Sequence, residues 1–482
     1  MVNVHVVDRD QVFLMPPSLA EWLPDGHLAW FILDVVDELD LSGFYRSLRQ
    51  DGRGGVCYDP SMMLAVLIYA YSVGERSSRR IQRRLCEDVA FRVVAANSQP
   101  DHATLARFRR RHQEPIAEVF TQVLGLCVKE GLVAAGVVAI DGTKIEANAS
   151  VSSNRTRRRL VDEILREAET VDTEEDAELG DRQGDELPER WADRRGRGAR
   201  LREALRQLDA EGPSDPESHQ AGREAKEAEL GRKLPGRKPD PNAKWGSRAR
   251  TRLINVTDPD SRIIKDGQRY VQGYNAQAAV TEDQIVVAAK VTNAATDSVV
   301  FSDVVATVEE NLARAGGSPA GTFVADAGYW SPHNATLDTS AEVLIAPLLA
   351  TGGITDPDDP RTVGRKETVE RLSRGEITVR DAAQEMGVSA TWVRKLLRGY
   401  LDGDPEPAKL RTEMLQRLAT ETGAAAYAKR KITVEPVYGH LKANLGYRRF
   451  LRRSLDAVES EWRLICTVHN LTKIHRHRIA TS

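Results

Sequence analysis

Two short apolar runs of this chain each lead directly into an aspartate, and no other feature of the sequence constrains the fold as strongly. The runs lie in Val137–Gly142 and Thr322–Gly328, and they deliver Asp141 and Asp326. Apolar runs of this length, bounded by turn residues, are typical of buried strands. We therefore expect two strands with a carboxylate at each tip, and we expect the glycine behind each aspartate to leave room for a phosphate backbone.

The remaining pattern predicts an α/β domain around these two strands. Strand signals at residues 270–280 and 285–291 predict a hairpin. A helix with an apolar residue at every fourth position is expected at residues 299–312, and one more strand at residues 343–346. A late helix is expected to carry Glu435 and to begin there, because Pro436 is tolerated in a first turn but not inside a helix. This order is typical of a ribonuclease-H-like core, a mixed sheet with flanking helices.

In such a core two strand-end carboxylates and one helical carboxylate converge, which makes Asp141, Asp326 and Glu435 the candidate catalytic residues and metal ligands. Hard cations such as Mg²⁺ or Mn²⁺ prefer oxygen ligands and take few carboxylates together with substrate phosphate. Two such ions, about 3.5–4 Å apart, activate an attacking water or 3′-hydroxyl and stabilise the leaving oxygen. The sequence therefore predicts two ions per active site.

The charge is unevenly distributed along the chain, although the formal net charge is only −3. Residues 75–114 contain ten arginines against five acids, and residues 427–482 contain twelve lysines and arginines against four acids. Residues 162–186 contain twelve acids against two arginines. Two basic segments and one acidic segment suit a protein that touches a polyanion such as DNA at defined places.

Residues 1–130 are expected to form an N-terminal helical DNA-binding region. The apolar run at residues 62–70 predicts a buried helix, and arginine-rich helices follow at residues 77–92 and 104–112. We expect Arg109 and Arg110 to face outward and contact DNA phosphates. The alternative is an ordinary solvated charged face.

Two insertions are expected to interrupt the catalytic domain, which comprises residues 131–150, 251–350 and 412–475. Residues 151–250 are charged and poor in aromatics, so we expect a part-helical, part-flexible insertion. Residues 355–410 contain a helix-turn-helix pattern, and we expect Arg394 and Lys395 of its second helix to face DNA. An ordinary helical hairpin is the alternative.

Several protein classes are disfavoured by the sequence. The longest apolar runs are shorter than the roughly 18 residues needed to span a bilayer, and residues 1–30 do not resemble a secretory signal. We therefore expect a cytoplasmic protein without a membrane partner. The four cysteines do not have the spacing of zinc ligands.

The chain resembles a known family in several motifs, which are Asp141–Ser150, Val271–Val280, Ala325–Ser331, Tyr427–Gly439, Arg448–Arg453 and Cys466–Asn470. With these motifs it resembles the DDE transposases of bacterial insertion sequences, most closely insertion-sequence family 1182. The resemblance covers nearly the whole chain outside residues 151–250 and 355–410.

The resemblance implies an enzyme that binds the terminal inverted repeats of its element, cleaves at the element ends and joins them to target DNA. Asp141, Asp326 and Glu435 match the acidic triad of the family one by one. The resemblance also implies a homodimer on DNA, since two ends are held together, and a nucleoid-associated location in a bacterial cytoplasm.

Related transposases place this glutamate in a Tyr-x2-Arg-x3-Glu-x6-Lys signature. Lys442 keeps the spacing after Glu435 and is expected to reach a DNA phosphate. The preceding half departs from the signature, because Lys431 occupies the arginine position, and Tyr427 and Arg430 each come one residue early. Lys431 and Arg430 are candidate DNA contacts, and the roles of the two early residues stay open.

Other candidates near the site each have an alternative. Trp330 is expected to stack on a base near the cleavage site or to wedge into the local core. Arg448 and Arg449 are candidate DNA contacts. Glu146 is either an outer-shell carboxylate or a surface acid, and His440 is a phosphate or structural contact rather than a base, since two-metal sites need no histidine base.

Two other functions compete with the transposase interpretation. One is a catalytically inactive or domesticated copy that only binds DNA, and the other is a ribonuclease-H-like nuclease or resolvase without strand transfer. Cleavage of the flanking inverted-repeat DNA distinguishes these functions.

Overall fold

The computed structural model describes residues 18–46, 48, 57–156, 158–167, 197–210, 253–294, 296–347, 367–368, 371–372, 376–388, 390, 393 and 405–481. The predictions for Arg394 and Lys395, and for much of 151–250 and 355–410, lie outside these residues.

The regular secondary structure described in the N-terminal part is all helical, as predicted. Its helices are α1 (Leu28–Glu38), α2 (Ser42–Tyr45), α3 (Pro60–Ser72), α4 (Ser78–Glu87), α5 (Val89–Val94), α6 (His102–Arg111) and α7 (Gln113–Lys129). Helix α3 is apolar on every side and almost wholly buried, which confirms the predicted buried helix. Asp59 caps its first turn, and Pro60 stands where no intrahelical N–H bond is lost.

A mixed sheet lies behind these helices. Its strands are β1 (Val137–Glu146), β4 (Arg262–Asp266), β5 (Arg269–Thr281), β6 (Val286–Thr292), β7 (Thr322–Ala325) and β8 (Glu342–Ile345), while β2 (Asn154–Thr156) and β3 (Leu253–Asn255) form a separate pair. The order is β4-β5-β1-β7-β8, and β6 also pairs with β5. Strand β1 is antiparallel to β5 and parallel to β7, so the predicted α/β class with a mixed sheet is confirmed.

Further helices flank the sheet: α8 (Arg197–Ala210), α9 (Phe301–Ala315), α10 (Pro332–Ala335), α11 (Val379–Glu385), α12 (Pro405–Ala419), α13 (Glu421–Gly439) and α14 (Leu455–Thr481). Helix α13 packs on β1 and β7, α9 packs on β6, and α14 packs on both β6 and α7. One apolar cluster runs through the N-terminal helices, the sheet and α14. The Tyr447 hydroxyl donates to the Tyr71 carbonyl, and Arg76 pairs with Glu461 at 3.5 Å, so α3 and the turn that leads into α4 are joined to the C-terminal segment.

The prediction that a helix begins at Glu435 is wrong. Helix α13 begins at Glu421 and contains Pro436, and a π-helical segment, His440–Asn444, follows it. A proline inside a helix leaves the carbonyl four residues earlier without its usual partner. That carbonyl belongs to Ile432, and the Gln284 side chain donates to it at 3.5 Å, which explains how the helix continues.

The two predicted insertions are described only in part. Leu160, Leu201, Leu208 and Ile254 form a small separate core between α8 and β3, and β2 pairs with β3 so that both ends of the first insertion lie side by side. In the second, α11 begins with a capping box between Thr378 and Asp381. No helix in the described part of the chain combines the length and the apolar composition of a membrane span.

Candidate active site

Asp141 and Asp326 lie side by side on the neighbouring strands β1 and β7, at the point where β7 ends. Strands β1 and β7 are parallel, and Ile140 pairs with Ala325, so each aspartate is the next residue on its strand. Neighbouring strands are about 4.8 Å apart, which brings the two carboxylates close together. The Gly142 amide donates to Asp141 Oδ1 at 2.8 Å, and the Gly328 amide donates to Asp326 Oδ1 at 2.8 Å. The two aspartates therefore meet in space, but the prediction of a strand tip holds only for Asp326. Asp141 lies in the middle of β1, which continues to Glu146 because it stays paired with β5.

Helix α13 covers Asp141 with three side chains. Arg430 Nη1 lies 3.3 Å from Asp141 Oδ2, and the Tyr438 hydroxyl donates to the Asp141 carbonyl at 2.5 Å. The Arg430 guanidinium lies 5.9 Å from the centre of the Tyr427 ring. Tyr427 and Arg430, each one residue early in the signature, thus both lie at this site, whereas Lys431 is exposed.

Electrostatics at Asp141 destabilise its ionised form relative to that of a free carboxyl. Burial, together with the negative charges of Asp326 and Asp297, raises the pKa of Asp141 to about 6, against the opposing effects of the Gly142 amide and Arg430. The ionised carboxylate is therefore under-compensated, although Arg430 lies next to it. A further positive charge at this position would stabilise it.

Asp297 belongs to the same site, and the sequence analysis missed it. Its Oδ1 accepts hydrogen bonds from Asn275 at 2.5 Å, Gln277 at 3.0 Å and Lys144 at 3.3 Å. Asp297 follows β6 after four further residues instead of standing at the strand tip, so the pattern that found the other two aspartates does not include it. The only sequence feature that points to Asp297 is its position just before helix α9.

The prediction that Gly142 leaves room for a phosphate backbone is wrong. A Cβ on Gly142 would lie 2.4 Å from Gln277 Nε2 and 2.9 Å from Asn275 Oδ1, so protein side chains fill the space beside it. Gly328 is different, because a Cβ there would lie between carboxylate oxygens of Asp326 and Asp297, at 3.0 and 3.4 Å.

Glu435 is not brought into contact with the two aspartates. It lies on α13 five residues after Arg430, and at 100° per residue the two side chains point about 140° apart. Arg430 faces Asp141, while Glu435 is exposed and makes no hydrogen bond or ion pair with the residues that the structure describes.

The basic residues after Glu435 face the protein more than expected. Lys442 is half-buried and its Nζ donates to the Lys144 carbonyl at 2.8 Å, because the π-helical turn redirects the side chain toward β1. Arg448 is exposed and donates to the Lys442 carbonyl at 3.2 Å. Arg449 is exposed and pairs with Glu146 at 2.7 Å, so Glu146 is an ion-pair partner at the edge of the sheet.

Two predicted DNA contacts are buried. Arg109 is only 8% exposed and donates to the Tyr71 hydroxyl at 3.1 Å and to the Arg76 carbonyl at 2.9 Å. The outward orientation predicted for it is therefore wrong, whereas Arg110 is exposed. Trp330 is 7% exposed and lies in the main core, which favours the wedge over base stacking. His440 contacts His469, with the two Nδ1 atoms 3.3 Å apart, and this is a structural contact.

The site offers only oxygen donors to a cation, which suits Mg²⁺ or Mn²⁺. Among the residues with described positions, no three Asp, Glu, His or Cys side chains are close enough to form a ready-made metal site. Asn275 is wholly buried, and its Oδ1 has no hydrogen-bond partner. The two neighbouring aspartates, the space beside Gly328 and the unpartnered Asn275 oxygen suit a hard ion that binds few protein oxygens and keeps several waters.

Comparison with known families places both ends of the chain among transposases. Residues 17–111 match the family described as Transposase domain (DUF772), and residues 401–475 match the family described as Transposase DDE domain. No curated protein and no solved structure is similar enough to this chain to be matched. The second match includes Arg430, Glu435 and Tyr438, so the helix that covers Asp141 lies within the DDE region.

The fold and the site define the class as an α/β protein with an acidic centre between two neighbouring parallel strands. The two matches indicate a transposase, an enzyme of the DDE kind that insertion sequences encode. A protein of this class acts on DNA.

Proposed function

We propose that this protein is an insertion-sequence transposase that binds terminal inverted repeats, cleaves at the element ends and joins them to target DNA. We further propose that it belongs to insertion-sequence family 1182. The observation that carries the proposal is the pairing of Asp141 and Asp326 on adjacent parallel strands, beneath a helix of the DDE region.

The sheet order supports a ribonuclease-H-like core. Strands β6, β5 and β1 are successively antiparallel, and β1, β7 and β8 are parallel. We propose residues 131–150, 251–350 and 412–475 as the catalytic domain. Residues 1–130 would then be the DNA-binding region, with 151–250 and 355–410 as insertions.

We propose that Asp141 and Asp326 hold Mg²⁺ or Mn²⁺, two ions per site once DNA is bound, and that Glu435 completes the site in that state. The ions supply a polarised nucleophile and stabilisation of the leaving oxygen. The Asp141 side chain is largely buried, and Tyr438 fixes the strand backbone at this residue through its hydrogen bond to the Asp141 carbonyl. Arg430 offsets part of the negative charge of Asp141.

The proposed DNA surface consists of exposed cations. Helix α4 buries Ile81 and Leu85 and exposes Arg79 and Arg83 on its other side. Arg110 and Lys431 are also exposed, and we propose that Arg394 and Lys395 add contacts from a helix-turn-helix. Two copies would hold the two element ends in a homodimer, in a bacterial cytoplasm.

The decisive experiment combines purified protein, Mg²⁺ and DNA that carries the element's own inverted repeats. We expect strand breaks at the element ends and, with added target DNA, joined products. Asp326→Asn should abolish both and still shift the DNA. Binding without cleavage by the wild type would indicate the DNA-binding copy, and cleavage without joining would indicate the nuclease.

A further inference from the structure

A pocket with basic walls lies between the end of α13, the turn that joins β5 to β6, and helix α14. Its volume is about 280 Å³, several times the roughly 30 Å³ that one water occupies in the liquid. Two histidines and two cations line it, His440, His469, Lys473 and Arg476. No acidic side chain of the described part of the chain lines this basic pocket.

The two cations of the basic pocket have no carboxylate partner. Arg476 is exposed and makes no hydrogen bond or ion pair with any residue that the structure describes. Lys473 Nζ donates only to Gln284 Oε1, at 3.4 Å. Asp283 acts on Lys473 from beyond ion-pair distance, and its Oδ2 accepts from the Ala134 amide at 3.2 Å. Burial lowers the pKa of Lys473, so its positive charge is under-compensated by the protein.

The two histidines have a defined arrangement of protons. Burial lowers the pKa of His469 to about 4, so this ring is neutral, and its Nε2 donates to the Gln284 carbonyl at 2.9 Å. A neutral imidazole has only one N–H, so His469 Nδ1 accepts the hydrogen bond from His440 Nδ1, which lies 3.3 Å away. His440 Nε2 is left without a partner among the described residues, and it becomes a donor when the ring is protonated.

The basic pocket lies on the opposite side of α13 from Asp141. Tyr438 bonds to the Asp141 carbonyl, and Pro436 and His440, which line the pocket, each lie two residues from Tyr438. Two residues turn an α-helix by about 200°, so these side chains point to nearly opposite sides of the helix. A ligand of the pocket is therefore distinct from the group that reacts beside Asp141.

We propose that the basic pocket binds one phosphate of the DNA backbone, held by Lys473 and Arg476 beside His440. A backbone phosphate offers charged oxygen acceptors, and lysine and arginine bind such oxygens through charge-assisted hydrogen bonds. The inference rests on the proposed function, which supplies the DNA. Helix α13 would then lie between two phosphates, one that reacts beside Asp141 and one that anchors the DNA in the pocket.

Gly439→Leu tests the basic pocket without changing any charge. Gly439 lines the pocket, and a Cβ there would meet no atom within 4 Å, so the larger side chain fills open space. Replacement of a helical glycine also favours folding. Lys473→Gln combined with Arg476→Gln removes both cations. The charge-matched control combines Lys129→Gln with Lys265→Gln, since both lysines are exposed on elements outside the pocket, α7 and β4.

DNA affinity is measured by fluorescence anisotropy of a labelled inverted-repeat duplex between about 50 and 200 mM KCl. The slope of log affinity against log salt counts the neutralised phosphates, at about 0.9 per phosphate. We expect Gly439→Leu and the Lys473/Arg476 double variant each to lose about one phosphate, or roughly tenfold in affinity at about 0.1 M salt. Two cations on two separate phosphates would instead lose about two, and Gly439→Leu would lose none.

Phenylglyoxal modification of Arg476, followed by mass spectrometry, reports on the pocket directly. Saturating DNA should slow the modification in wild type and not in Gly439→Leu. Inorganic phosphate at the same ionic strength should give no protection. Equal protection by inorganic phosphate would identify a free anion as the occupant and would overturn the assignment to DNA.

A folded Gly439→Leu protein with the affinity and salt slope of wild type would overturn the inference. An equal loss of affinity in the Lys129/Lys265 control would do the same, because net charge alone would then explain the effect. Failure of the proposed function has a different signature, since wild type itself would then bind no DNA.

Discussion

Replacing Asp141 by asparagine should stabilise the metal-free protein at neutral pH, although it removes a proposed catalytic residue. Burial raises the pKa of this carboxyl from 3.8 to about 6 in the folded protein. The unfolded chain therefore releases this proton more easily than the folded chain. Folding stability consequently falls as the pH rises from about 4 to about 6 and stays at the lower level above pH 6.

The magnitude follows from that shift. One pKa unit corresponds to about 1.4 kcal/mol, so ionised Asp141 destabilises the fold by up to about 3 kcal/mol. Asparagine removes that charge but leaves Arg430 without its carboxylate partner, which lowers the expected gain to about 1–2 kcal/mol. For a chain of this size, 1 kcal/mol changes the Tm by about 1–2 °C.

The assay is scanning fluorimetry of wild type and Asp141→Asn in EDTA, at pH 5 and at pH 8. We expect the variant to melt about 1–4 °C higher at pH 8, with a much smaller difference at pH 5. Added Mg²⁺ should raise the Tm of wild type at pH 8, where Asp141 is ionised, and not that of the variant. A variant that is less stable than wild type by the same amount at both pH values would refute the reasoning.

Three further comparisons use neighbouring or isosteric residues. Arg430→Gln should tighten Mn²⁺ binding about fivefold, or about 1 kcal/mol, because the cation no longer has to displace a guanidinium from Asp141. Lys431→Gln is the control and should leave Mn²⁺ affinity unchanged, and Mn²⁺ titration of both variants measures the difference. Arg109→Ala should lower the unfolding free energy by about 2–4 kcal/mol, measured by urea denaturation, because buried acceptors lose their donor. Arg110→Ala should leave stability unchanged and reduce the salt dependence of DNA affinity by about one unit of slope. Tyr438→Phe removes the hydrogen bond to the Asp141 carbonyl and should lower the unfolding free energy by about 1–2 kcal/mol, measured by urea denaturation. An unchanged unfolding free energy would contradict that contact.

The sequence predicted the elements whose apolar pattern is local. The strands that deliver Asp141 and Asp326, and the buried helix α3, were predicted from runs of apolar residues. Such patterns reflect burial directly, and burial decides where these elements lie. The chain order of the strands also sufficed to predict a mixed sheet.

Side-chain directions were the part that local patterns could not give. Arg109 belongs to an arginine-rich helix and is nevertheless turned inward, because Tyr71 and the Arg76 carbonyl provide acceptors from distant positions. Asp297 joins the site only through donors on β1 and β5. The start of α13 was misplaced because Gln284, far away in sequence, satisfies the carbonyl that Pro436 frees. Each of these depends on tertiary contacts that no window of the sequence contains.

The N-terminal helices and α14 share one apolar core, which holds helix α4 at a fixed distance from Asp141. The bond from Tyr447 to Tyr71 and the ion pair of Arg76 with Glu461 connect the segment that carries the α4 arginines to the segment that follows the DDE helix. DNA that contacts α4 would then meet Asp141 at an offset fixed by packed side chains instead of by a linker. On the proposed function, the distance between the bound DNA segment and the cut bond would be set by this packing, and repacking the junction would shift the position of the cut.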